Sequence, residues 1–307
     1  MSQLPVHRYQ FNCRVKEPLK FNFYAGSMLR GAFGQALRKL VCVTRMSDCK
    51  ACLLYRQCAY PKVFETPPPL QTQFQSFSQI PNPFVLEPPP MGSKALAPGD
   101  TFSFNVVLIG QALAQLPIII YAWQTALNAG LGSAHAKVEL IDVVFEPDQP
   151  VAQVIYTHDT EARLLPVPEF TPEPLAPTDR LTIQLLTPLR IQQKGQVLSS
   201  NLRGKDFLMA LVRRYYFLQE FHTPNYQAPD FKALARQAEQ IEGRHSFSWC
   251  EWQRYSSRQQ QEMIFGGVLG KLELTGDLTT FLPMLARGQW LHVGNKTTFG
   301  MGHYRLA

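Results

Sequence analysis

Two groups of residues in this chain have the types and spacing to do chemistry. The first is Val293-Gly294-Asn295-Lys296-Thr297-Thr298-Phe299-Gly300-Met301-Gly302, near the end of the 307-residue sequence. Three glycines allow close backbone approach and expose N–H donors, while Lys296, Thr297 and Thr298 add a cation and two hydroxyls, a set that suits a nucleic-acid backbone. The familiar Gly-rich nucleotide loops lie between a strand and a helix, with phosphate on the helix N-terminus; here one short strand follows instead. No acid lies between Asp277 and the last residue to hold a magnesium ion beside the loop, which argues against a nucleotide-using enzyme. The same glycines could mark a bulged or tight hairpin between two strands, and the spacing leaves both readings open.

The second group is Cys42-x6-Cys49-x2-Cys52-x5-Cys58, four of the six cysteines, with Cys13 and Cys250 standing apart. In an intracellular chain of this size such a cluster reads as a metal site before a disulfide framework. Cys49 and Cys52 can put two thiolates on one ion, and Cys42 and Cys58 are near enough to complete a closed structural zinc site. An iron–sulfur cluster takes the same four ligands. Four reduced thiols in an irregular loop are the plain alternative.

Elements must position these groups, and composition limits what they can be. With 45% hydrophobic residues the chain can bury two ordinary cores. A net charge of +7 and a pI near 9.1 favour a polyanionic partner, yet only 17% of residues are charged and no long basic block occurs. Folding must therefore gather the cations. The longest aliphatic run, Leu116 to Tyr121, is interrupted by Pro117 and is too short to span a bilayer, so no membrane partner and a cytoplasmic location are expected.

Alternation predicts a strand from His7 to Val15, followed by a helix capped by Ser27 with Met28, Leu29, Phe33, Ala36, Leu37 and Leu40 on its apolar face. The cysteine segment, about 42–60, follows as an insertion, then a proline-broken stretch from Pro67 to Pro90 that cannot be regular helix. Strands are expected at Phe102 to Ile109 and Val138 to Phe145, with a helix from Pro117 to Asn128 closed by Gly130. Pro166, Pro168, Pro172, Pro174 and Pro177 suit a stiff linker over 166–178. The order then repeats: strand Leu181 to Leu186, helix Asp206 to Phe221, strands Phe247 to Trp252 and Gly267 to Leu274, helix Leu278 to Arg287, and strands flanking the glycine loop. Read twice, β-α-β-β-α-β predicts an α+β protein of two tandem ferredoxin-like domains, 1–165 and 179–307, with the cysteine-rich insertion in the first.

Several segments together carry a resemblance. They are Gly26-Ser27-Met28-Leu29-Arg30-Gly31-Ala32, Cys52-Leu53-Leu54-Tyr55-Arg56-Gln57-Cys58-Ala59-Tyr60, Arg254-Tyr255-Ser256-Ser257-Arg258-Gln259 leading to Gly266-Gly267, and His292-Val293-Gly294 to Gly300-Met301-Gly302. In this order the chain resembles the CRISPR repeat-processing endoribonucleases of the RAMP superfamily, which are built from tandem ferredoxin-like folds. The resemblance implies a metal-independent endoribonuclease that cuts CRISPR precursor RNA within the repeat by 2′-OH attack, giving 2′,3′-cyclic phosphate and 5′-OH ends. CRISPR repeat RNA is then the partner, with other CRISPR effector or adaptation proteins beside it.

Such a reaction needs a group to take the 2′-proton, a donor for the leaving 5′-oxygen and cations for the phosphorane. Many relatives carry a histidine in the first helix; here that helix has none. The resemblance matches Tyr24 to the family's active-site tyrosine and Lys39 to its basic residue. His222, at the end of the second-domain helix with Arg214 two turns earlier on the same face, is the histidine candidate; a helix-end structural role is its alternative. His7, on the first strand, reads as structural, while His292 and His303 bracket the glycine loop and could equally approach bound RNA or be satisfied strand residues. The resemblance makes Arg254, Tyr255, Arg258, Lys296, Thr297 and Thr298 the RNA contacts, with Arg190 and Lys194 as a second basic edge. Two other functions compete: a non-catalytic RAMP subunit that holds guide RNA, and a zinc-bearing assembly protein.

Overall fold

The computed structural model describes residues 4–68, 80–158, 164–224, 226–256 and 261–307, with the backbone alone at 253–256 and 261–264. The chain divides into two units, Met1–Phe170 with Phe217–Tyr226, and Thr171–Tyr216 with Gln227–Ala307. Each carries a ferredoxin-like β-α-β-β-α-β core, as the repeated element order implies.

The first unit contains β1 (Val6–Val15), β2 (Leu19–Phe21), α1 (Gly26–Val41), α2 (Ala59–Phe64), β3 (Phe84–Glu87), β4 (Lys94–Leu96), β5 (Thr101–Ile109), α3 (Leu116–Ala129), β6 (Val138–Phe145) and β7 (Gln153–Thr157). Its sheet is antiparallel in the order β3-β5-β1-β6-β7. Alternation along β1 buries Tyr9, Phe11, Cys13 and Val15. Phe33 of α1 stacks on Trp123 of α3 with ring centroids 5.0 Å apart, and Phe11 stacks on Phe104 at 5.3 Å. Leu29, Ala36 and Leu37 are buried beside Phe33, with Met28 and Leu40 partly buried.

Several expectations are corrected here. Ser27 does not cap α1: the helix begins at Gly26, Ala25 takes the N-cap without a side-chain hydrogen bond, and Ser27 lies within the first turn. The proline-broken stretch, by contrast, has no helix among its described residues, as expected, and it holds β3, an edge strand that Pro83 and Pro88 bracket in the sequence. The first part of the proline-rich segment lies against the first unit's core rather than standing free, because Leu164, Val167 and Phe170 pack there and Leu165 N–H donates to Ile155 O at 2.8 Å. No helix or strand occurs from 164 to 178.

The second unit contains β8 (Arg180–Leu185), the short hairpin β9 (Gln192–Gln193) and β10 (Gln196–Val197), most of α4 (Gly204–His222), α5 (Phe231–Glu239), β11 (Glu242–Ser256), β12 (Gln261–Thr275), α6 (Leu282–Leu291) and β13 (Tyr304–Leu306). Its antiparallel sheet runs β11-β12-β8-β13. Phe207 of α4 meets Tyr304 of β13 edge-on at 5.5 Å, and the Tyr304 hydroxyl donates to Leu285 O at 2.7 Å. Asp206 reaches back to the Arg203 N–H at 3.0 Å, closing the start of α4. β12 pairs with β8 only over Lys271–Thr275, so the rest of the β11–β12 hairpin extends past the β8 pairing as a ladder reaching Ser256 opposite Gln261. Both strands are longer than the sequence alone suggested.

Candidate nucleic-acid interface

In the second unit the glycine loop begins from a helix, not a strand. α6 runs to Leu291, and His292 turns the chain at φ 58. The loop then folds onto the segment after β8: Asn295 N–H donates to Arg190 O at 2.7 Å, Gly302 N–H to Pro188 O at 3.0 Å, and the Thr187 hydroxyl to Gly300 O at 2.7 Å. A 3₁₀ turn at Thr297–Phe299 closes with Phe299 N–H to Lys296 O and Gly300 N–H to Thr297 O. The backbone donors of Val293, Asn295, Phe299, Gly300 and Gly302 are therefore already bonded, to the loop itself or to the segment after β8.

The glycines answer this packing. A Cβ at Gly302 would sit 1.9 Å from Val293 O, and one at Gly294 2.4 Å from Arg190 O, both at positive φ. Thr297 is 5% exposed and turned inward, Thr298 is half-buried, and Lys296 is exposed. Lys296 has φ 64, and its ammonium lies 5.5 Å from the Phe265 ring centroid. The loop thus acts as a rigid mount for one cation. His292 is buried, with Nδ1 3.1 Å from Met301 O, and its ring stacks on His303 at 4.5 Å.

The structure divides the other candidates of this unit into loop supports and exposed groups. Arg190 Nη1 donates to Gly266 O at 2.9 Å, and burial lowers its pKa. Arg214 faces inward rather than toward a ligand: Nε donates to Leu291 O at 2.6 Å, capping the end of α6 where the glycine loop starts, and Nη2 is enclosed. Burial lowers its pKa as well. Lys194 is exposed at the tip of the β9–β10 hairpin, where it and Gly195 both have positive φ. Arg254 and Tyr255 lie on β11 opposite Met263 and Glu262, toward the far end of the hairpin. Arg258 lies outside the described residues.

In the first unit α1 presents Gly31, Gln35 and Lys39 to solvent at successive four-residue steps. Lys39 is exposed in the last turn, where a cation is favoured by the helix dipole. A Cβ on Gly31 would meet nothing within 4 Å, so no packing demands glycine there. Tyr24, by contrast, is 5% exposed just before the helix. His222 is 2% exposed: Nε2 donates to Pro81 O at 2.7 Å, Gln111 Nε2 donates to His222 Nδ1 at 3.2 Å, and its carbonyl crowds Gly110. His7 is enclosed among Tyr9, Phe145 and Phe170. His135 was not singled out by sequence; it is exposed, with φ 49, on the loop whose Gly132 packs beside Met28 of α1. Cys42, Cys49, Cys52 and Cys58 are half-buried free thiols lining one cavity after α1.

Two ferredoxin-like units, the second ending in a helix, a folded glycine loop and an edge strand, define an α+β protein of tandem ferredoxin-like design. A family model described as an N-terminal domain matches residues 4–169, and one described as the CRISPR-associated endoribonuclease Cas6 matches residues 183–304. Residues 183–304 thus carry the domain of the CRISPR-associated endoribonuclease Cas6 family, the repeat-processing family that the sequence resembles. An uncharacterised protein of Archaeoglobus fulgidus is 25% identical over 303 residues, covering 95% of this chain and 96% of its own length. A Cas6 product complex aligns with TM-score 0.60 and 16% identity over 98% of this chain and 99% of that one. Thermus thermophilus Cas6 aligns with TM-score 0.57 and 15% identity over 100% of both chains. At these identities the structural likeness concerns the fold.

Proposed function

We propose that this protein cuts CRISPR precursor RNA within the repeat, with the ribose 2′-OH as nucleophile and no metal ion in the reaction. The 2′-oxygen forms a bond to the adjacent phosphorus while the bond to the 5′-oxygen breaks. A base takes the 2′-proton and an acid supplies one to the leaving oxygen, giving 2′,3′-cyclic phosphate and 5′-OH ends. The observation that carries this reading is the Cas6 family match across residues 183–304, the span that contains the mounted Lys296.

RNA contact is assigned to the exposed Lys296 and Lys194 and to Arg254 and Tyr255 on the long hairpin, with Thr298 beside Lys296; Arg258, outside the described residues, is kept as a contact on the resemblance. Arg190, Arg214 and Thr297 hold the loop in place. In the first unit Lys39 supplies a cation for the charged phosphorane, and His135 is a solvent-facing imidazole candidate for proton transfer; Tyr24 and His222 support the surrounding structure. Cas6 product complexes among the structural neighbours support repeat RNA as substrate, and a partial Cas6-RT-Cas1–Cas2 complex supports CRISPR proteins as partners. Among the described residues no helix is long and apolar enough to cross a membrane, and we assign the reaction to the cytoplasm, where the transcript is made. The enclosure of Tyr24 and His222 favours one second reading, a RAMP subunit that holds guide RNA without cutting it.

Titration of labelled repeat RNA across a salt series tests the interface. Each phosphate contact on a single strand adds roughly −0.7 to the slope of log affinity against log salt. Lys296→Ala should weaken binding and make that slope shallower by about 0.7. An unchanged slope would leave the loop a structural turn only.

A further inference from the structure

Four thiols line one cavity in a segment of turns between α1 and α2. Cys42 is the C-cap of α1, its N–H donating to Arg38 O at 2.9 Å, and Cys58 is the N-cap of α2 without a side-chain cap bond. Between them Cys49 and Cys52 are joined by a turn in which Cys52 N–H donates to Cys49 O at 3.1 Å. All four sulfur-bearing residues line one cavity of about 170 Å³, with Thr44, Met46 and Tyr55 among its other walls and no carboxylate or imidazole among them. The Thr44 hydroxyl lies 3.3 Å from Cys52 Sγ.

Much of the segment's apolar surface stays exposed. Leu53 is 99% exposed and Val43 81%, with Met46 and Leu54 also exposed. A short stretch of turns that buries so little of its own apolar surface needs a staple. Arg38 supplies a partial one, donating from Nη2 to Met46 O and Ser47 O at 2.7 Å each. That bond fixes the loop's midpoint to α1 but leaves the thiols to fix its ends.

We propose that Cys42, Cys49, Cys52 and Cys58 bind one zinc ion as a closed four-thiolate site that staples the end of α1 to the start of α2. Zinc suits an all-sulfur tetrahedral donor set, and four protein ligands leave no position for water, so the ion is structural. Binding releases the thiol protons to solvent and changes no oxidation state. Tetrahedral Zn–S bonds of ~2.3 Å require sulfurs about 3.8 Å apart. Among the described residues no three of these sulfurs lie within 4.8 Å of one another, so ligation closes the cavity by side-chain rotation and tightening of the turns. The site stands apart from the RNA reading, since it requires no assigned activity.

The test is metal analysis of the full-length protein, purified without a chelating column and supplied with zinc. About one zinc per chain is expected. Titrating the unmutated protein with a mercurial reagent, while a chromogenic chelator reports released metal, should consume about four thiols per zinc. Cobalt substitution should give the intense visible bands of a tetrahedral thiolate site. Cys49→Ser with Cys52→Ser should abolish stoichiometric binding, whereas Cys250→Ser should leave it unchanged. Less than ~0.2 zinc per chain, iron with acid-labile sulfide, disulfides among the four cysteines, or full zinc retention in the double variant would each overturn the assignment. The mercurial titration reads the wild-type fold, so a variant that fails to fold does not remove the test.

Discussion

Burial gives individual residues tasks that their side-chain chemistry alone does not reveal, and His7 makes this measurable. Its ring lies 5.2 Å from Phe145 with Nδ1 3.2 Å from the Tyr9 hydroxyl, and desolvation lowers its pKa from 6.5 to about 4. Between those values the unfolded chain binds a proton that the folded chain refuses. His7's contribution to stability is therefore full above pH 6.5 and falls as pH drops toward 4. Thermal unfolding followed across that window should show Tm falling with acid, and His7→Phe should make the profile flatter. A profile identical to wild type would contradict the burial argument. Arg214 offers a second case. Removing its bond to Leu291 O with Arg214→Ala should cost about 1–3 kcal/mol in urea unfolding; a direct RNA contact would instead lower affinity with stability unchanged. His7 was legible as a structural residue of the first strand, but the enclosure of Arg214 was not, because its partner Leu291 is 77 residues away. Pro81, the partner of His222, is 141 residues away.

Elements with strong local periodicity were legible, and those defined by what they pack against were not. β6 matches its expected Val138–Phe145 span, and α3 lies within a residue of expectation at either end, because alternation, Pro117 and Gly130 all act locally. β3 is four residues between prolines, and its strand character comes from pairing with β5. The glycine loop was recognisable as special, but its spacing could not say that a helix precedes it or that several of its donors are already bonded. Gly31 and Gly302 separate these two uses of glycine. Gly302→Ala places a Cβ 1.9 Å from Val293 O at φ 74 and should destabilise by more than ~2 kcal/mol. Gly31→Ala fills open space on a helix and should stabilise by about 0.4–1 kcal/mol, while slowing cleavage if RNA passes over the Gly31–Lys39 face. Chemical denaturation with single-turnover cleavage distinguishes the two effects, and a Gly31→Ala protein with unchanged stability and rate would remove α1 from the RNA path.

Across the whole molecule, the doubled β-α-β-β-α-β order was readable, although the division of the chain was less simple than a linker between two halves. Phe217–Tyr226 falls with the first unit although the rest of α4 belongs to the second, an arrangement that no local composition shift marks. The basic balance was readable only as a preference for a polyanion; folding selects which cations remain exposed. Cleavage of repeat RNA through the ribose 2′-OH is the activity proposed for this protein. Its most direct test is single-turnover incubation with end-labelled CRISPR repeat RNA from its own genome, in EDTA, with the protein's zinc content followed in the same samples. A parallel substrate carries 2′-deoxyribose at the cut site. One cut ending in a 2′,3′-cyclic phosphate, lost in the deoxy substrate and retained in chelator, is the predicted result; tight binding without cleavage, or cleavage of the deoxy substrate, would contradict it.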